Sequence, residues 1–223
     1  MKSIAVLLAG TALAFGANAL TISGGTFANA LQTTEINQTG SLGLFNSTLG
    51  TLTGISFTFS GHNTTLLSLT NMGSGTATTK ATSTTDLFFG SSLSALNGLF
   101  VAANPAINLS ATTGFVTLAS GASQSFGPLV DSVSANWTSQ LNGVLSSFAV
   151  AGGGNFGVSC TSLSGIAITG GGGNIASNQA TQAACGASII YTYDVIPVNV
   201  PEPSALALVG LALAGLAFAR RKA

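Results

Sequence analysis

The sequence predicts an all-β protein: a single antiparallel β-sandwich, jelly-roll-like, between an N-terminal signal peptide and a short C-terminal hydrophobic helix. Three observations lead there. Ile55-Ser56-Phe57-Thr58-Phe59-Ser60 alternates apolar and polar residues strictly, as a strand with one buried face does. Further short β-like runs follow, divided by clusters of Gly, Asn and Ser. No heptad pattern and no fixed-period repeat runs through the 223 residues.

Taken in order, residues 20–45 form a lead-in without helical period. The alternating strand at Ile55 is expected to turn at Gly61-His62-Asn63, with a second strand from Thr64 to Thr70. Asn71 to Gly75 turns again, and Thr76 to Thr85 reads as a threonine-rich strand pair or a long edge strand. Leu87-Phe88-Phe89 suits a central strand. Leu93, Leu96, Leu99 and Phe100 repeat at three to four, which fits a short helix or a loop, and Asn104-Pro105 ends it. Phe115 to Leu118 reads as a strand, Ser120 to Pro128 as a polar loop, and Val144 to Val150 as a strand; residues 129–145 fit no single pattern. Gly152 to Gly154 and Gly170 to Gly173 bracket a strand from Val158 to Ile168. Ile175 to Ala184, small and polar, is expected to be a loop or weak helix. Ile189 to Val195 closes the sheet before Pro197 and Pro201.

The two ends have a different texture. Lys2, the apolar Ile4 to Phe15 and the small-residue site Ala17-Asn18-Ala19 make a secretory signal peptide over 1–19, cleaved to leave Leu20 first. The other end, 199–223, holds Val200-Pro201-Glu202-Pro203, an apolar run from Ala205 to Ala219, and the basic stop Arg220-Arg221-Lys222. As a helix that run is about 22 Å long, against a hydrocarbon core of roughly 30 Å. It is rich in Ala and Gly, so it suits a transient anchor better than a permanent one. Between the ends, 20–198 is one domain with a substantial core.

Charge excludes several functions for that domain. Lys80 is its only base, against Glu35, Asp86, Asp131 and Asp194, a net of −3. Nucleic acid needs clustered Lys or Arg, and so does attachment to acidic lipid. Export places Cys160 and Cys185 in an oxidising compartment, where an even pair reads as a disulfide; a zinc pair would lack partners, since His62 is the only histidine. No cofactor is expected.

Pro201-Glu202-Pro203, followed by a short apolar run and terminal basic residues, resembles the PEP-CTERM sorting signal of Gram-negative bacteria. The resemblance implies processing by an exosortase, a membrane-embedded cysteine protease/transpeptidase, with passage through the inner membrane via 205–219. Delivery to the cell surface or an extracellular biofilm matrix would follow. Gly50 to Gly54 leading into the alternating strand, the Thr/Ser-rich stretch after it, and Ile189 to Tyr193 resemble choice-of-anchor β-domains, type E being nearest. That second resemblance implies a β-sandwich and no activity.

Chemistry is sparse. His62 has no G-x-S-x-G elbow to serve, and the four carboxylates are scattered along the chain, so a secreted hydrolase ranks last. Gly152-x-Gly154-x-x-Gly157 matches a dinucleotide fingerprint in letters only, since β-like residues follow it. Asp131, Asn136 and Trp137 place the only tryptophan beside an acid and an amide, the residue types that hold sugar rings and hydroxyls. A core role for Trp137 stands against that glycan-binding reading. Asn-x-Ser/Thr sequons at Asn37, Asn46, Asn63, Asn108 and Asn136 reflect composition in a bacterium, although threonine-rich strands offer hydroxyls for O-linked glycans. The expectation is a non-enzymatic structural protein, with exopolysaccharide binding as the alternative.

Overall fold

The computed structural model describes residues 19–195, together with 209–213, 215 and 220. The expected signal peptide over 1–19, apart from Ala19, lies outside these residues, as do the Val200–Pro203 motif, most of the tail, Ala17, Arg221 and Lys222.

Eight principal strands make the sandwich: β1 (Ala19–Ala28), β2 (Asn37–Gly43), β3 (Gly50–Asn71), β4 (Ala77–Ser91), β5 (Ile107–Thr112), β6 (Ser123–Trp137), β7 (Asn155–Gly170) and β8 (Ile175–Val195). One sheet has the order β1-β8-β3-β6 and the other β2-β7-β4-β5. β1 pairs with β8, β2 with β7, β3 with β6 and β4 with β5, every pair antiparallel. That is the winding of a jelly roll, a long hairpin wrapped into two sheets. A helix, α1 (Ser94–Ala102), links β4 to β5, and 3-10 turns over Ser139–Phe148, kinked at Val144, precede β7.

The core falls into two parts. The larger is aromatic: Phe57, Phe59, Phe89, Phe100 and Trp137 pack ring against ring, with Trp137 4.7 Å from Phe59 and 4.9 Å from Phe100. The smaller gathers Leu67, Leu69, Ala81 and Leu118. Polar residues buried in the sandwich lie between them in sequence along β3 and β4: Asn63, Thr65, Ser83 and Thr85, joined by Thr181 of β8. They bond to one another, as burial away from water requires. Asn63 donates to the Thr85 hydroxyl at 3.2 Å, Thr65 and Thr181 share a bond at 3.0 Å, and the Gln179 amide donates to Ser83 at 3.0 Å and Thr181 at 2.8 Å.

This polar belt explains where local pattern misleads. Gly61-His62-Asn63 makes no turn, because β3 runs unbroken for 22 residues. Gly61 faces inward, where a Cβ would collide with Leu87 Cδ1, so glycine is there for close sheet packing. Thr76 to Thr85 is neither a pair nor an edge; from Ala77 onward it belongs to the single strand β4, which lies between β7 and β5. Residues 175–184 are strand rather than loop or helix, since their inward positions cover the belt and show no apolar alternation. Ser123 to Pro128 is strand as well, with Pro128 held at a register shift on the sheet's edge strand, where its missing N–H costs little. Of Val144 to Val150 only Ala149–Val150 is strand, while Leu141 and Phe148 of the preceding 3-10 turns are buried.

Candidate functional site

β1 begins where β8 ends. Ala19 pairs with Asp194, Leu20 with Tyr193, and Gly50 of β3 with Val195. Both chain ends therefore leave from one pole of the sandwich. Leu20, the first residue expected after cleavage at Ala19, is paired to Tyr193. The predicted sorting motif begins at Val200, five positions past the last residue of β8 in sequence. Within the tail, residues 209–213 and 215 are helical. Among the described residues no helix is long and apolar enough to cross a membrane.

The far pole is knit by one side chain. Asn71, fully buried, donates to the carbonyls of Gly75 (2.7 Å), Leu118 (3.0 Å) and Ala119 (3.2 Å), and accepts from the Gly73 N–H at 2.9 Å. Nearby, Gly170 to Gly173 all hold positive φ, which glycine adopts without strain, and join β7 to β8. β8 has 21 residues, so the two poles stand roughly 65 Å apart at the usual rise per residue.

Cys160 on β7 and Cys185 on β8 form the expected disulfide, Cα atoms 6.4 Å apart, bracing one sheet against the other. Its surroundings are anchored: the Cys185 N–H donates to the Gln38 side-chain oxygen at 3.0 Å, and the Gln38 amide donates to the Ala30 carbonyl at 2.8 Å. At the proximal end the Tyr191 hydroxyl donates to the Gly43 carbonyl at 2.7 Å, and burial pushes its phenol above the ordinary range.

The residues expected to hold a glycan do not share a surface. Trp137 points into the aromatic core and is only 9% exposed, so its ring has no face for a sugar. Asn136, the next residue, is exposed and donates to Ser56 (2.9 Å) and Thr58 (2.8 Å). Asp131 uses its carboxylate on the Ser110 N–H of the opposite sheet (2.7 Å) and on the Ser132 N–H (2.8 Å), closing one side of the sandwich.

His62 and the acids are likewise apart. His62 lies mid-strand on the outer face of the first sheet, opposite Ser132 and Ala184. Asp86 accepts from Asn108 on the second sheet. Asp194 is at the proximal pole, and Glu35 clips β7 by accepting from the Ser164 N–H at 2.9 Å and the Ser162 hydroxyl at 3.2 Å. Glu35 had no sequence signal for this role; it acts where β2 stops pairing with β7. An open depression of about 480 Å³, lined by Leu66, Pro128, Ala180 and neighbouring Thr and Gln, marks the outer face near Leu66.

Residues 199–222 match the family model described as the PEP-CTERM protein-sorting motif. This span includes Val200-Pro201-Glu202-Pro203 and the basic stop. No curated protein matches the chain. Among solved structures, the T=1 particle protein of infectious bursal virus is 11% identical over 95% of this chain and 51% of its own, with a TM-score of 0.17. The Triatoma virus empty capsid is 11% identical over 80% and 93%, with a TM-score of 0.20. The Bacillus thuringiensis toxin parasporin-2 is 10% identical over 80% and 70%, with a TM-score of 0.16. The chain spans about half the length of the bursal-virus protein. At these TM-scores the likenesses carry no argument.

Proposed function

Starting from a C-terminal PEP-CTERM motif, which implies an exported protein sorted by an exosortase at the membrane of a Gram-negative bacterium, we propose a non-enzymatic structural role at the cell surface or in the extracellular matrix. The chain passes the inner membrane by its apolar run, is cut near Pro201-Glu202-Pro203, and leaves as a rigid sandwich. The observation that supports this best is the position of the motif. It comes after β8 in sequence, and β8 ends at the pole where β1 begins, so removal of the chain from Val200 onward touches none of the strand pairs.

The body suits work outside the cell. Its sheets are braced by a disulfide, and its outer faces are solvated by Ser and Thr hydroxyls rather than by ions. The test is fractionation of cells expressing the native chain and a Pro201→Ala/Glu202→Ala/Pro203→Ala variant. The native body is expected in the medium or matrix and the variant in the membrane fraction. Equal distribution of the two overturns the proposal.

A further inference from the structure

One long side of the sandwich is stepped. Over its proximal half both sheets end in covering strands: β1 and residues 32–33 lie along β8, and β2 lies along β7. The last main-chain bonds on this side run from the Thr34 N–H to the Thr181 carbonyl (3.1 Å) and from the Ser162 N–H to the Ile36 carbonyl (3.3 Å), and just past them the Ser164 N–H donates to the Glu35 carboxylate (2.9 Å). Beyond them, among the described residues, β8 from Ile175 to Ala180 pairs only with β3, and β7 from Gly165 to Gly170 only with β4. The two strands are consecutive and joined by a short glycine turn, so the open edges lie level, one in each sheet.

Neither edge is defended. Gly165 to Gly170 and Ile175 to Ala180 contain no charged residue and no proline, the usual blocks against strand addition. Other edges differ: β6 is interrupted at Pro128, β1 carries a register shift between Ser23 and Gly25, and β5 has only 6 residues. Behind the open edges Ile166, Ile168 and Ile175 are only partly buried against the smaller core cluster.

We propose that this step is the docking surface for a second copy of the chain. A two-fold axis perpendicular to the sheets, placed midway along the step, sets β8 antiparallel to the second copy's β8. It sets β7 antiparallel to the second copy's β7 at the same level, so both sheets continue through the pair. The step is its own complement: the tip of each copy occupies the space beside the other's shoulder at residues 32–35. A single added strand would complete one sheet and leave the other open, whereas a second copy completes both and covers the three isoleucines. With four carboxylates and one lysine in the whole body, little charge opposes the approach.

The test is sedimentation velocity of the exported protein over a range of concentrations, beside an Ala167→Lys/Ala176→Lys variant, with amide exchange on the native protein. A concentration-dependent dimer is expected, lost in the variant while Trp137 fluorescence is kept. Exchange should slow with concentration at residues 165–170 and 175–180. A native protein that stays monomeric, a dimer that survives the lysines, or protection arising at β1 instead overturns the proposal. Should the variant fail to fold, the exchange pattern of the native protein decides alone.

Discussion

At the scale of single residues, the fold depends on side chains whose type suggests something else. Gly61 is a packing glycine. Gly61→Ala drives a methyl into Leu87 and toward Ile107 and should cost about 1–3 kcal/mol in a denaturant titration. Trp137→Ala, made to test sugar stacking, should instead lower stability by about 3–5 kcal/mol, because it empties the centre of the aromatic cluster. Tyr191 gives a pH signature. Its phenol is held protonated above its ordinary value of about 10, so folding favours the neutral form. Its contribution is complete below pH 10 or so and falls as pH rises further, when the unfolded chain ionises first. The unfolding midpoint should therefore drop above about pH 10, and Tyr191→Phe should reduce that drop. Such roles were hidden for a physical reason. Gly, His and Asn serve turns as readily as tight interiors, and only the opposing sheet distinguishes the two.

At the scale of elements, legibility followed the aromatic core. Ile55 to Ser60, Leu87 to Phe89 and Ile189 to Val195 alternate or run apolar because they face that core, and each lies where the pattern puts it. Residues 63–65, 83–85 and 179–181 are equally regular strand, yet they face a belt bonded through hydroxyls and amides, so hydropathy shows no period there. The pairing of Cys160 with Cys185 was readable from number and compartment alone. Replacing both by Ala should cost about 3 kcal/mol in thermal or chemical unfolding, since the cross-link restrains a long loop of the unfolded chain. Asn71→Ala should act locally instead: amide exchange should rise at residues 72–76 and 119–122 while the aromatic core stays protected.

At the scale of the whole molecule, the strand order and the stepped side came from long-range pairing, which no single stretch encodes. The tail was the opposite case. Its motif, apolar run and basic stop are contiguous, and a short window of sequence identified them. The fold adds that β1 begins and β8 ends at one pole, with a body roughly 65 Å long reaching away from it. The glycan-binding constellation read from Asp131 to Trp137 dissolved because neighbouring strand residues face opposite sides, which puts Asn136 outside and Trp137 in the core. The account rests on the tail being read and removed. Intact-mass measurement of the protein recovered from outside the cell tests this most directly. A mass that begins at Leu20 and ends near Pro201-Glu202-Pro203 is predicted; a mass that still includes Arg220-Arg221-Lys222 would contradict it.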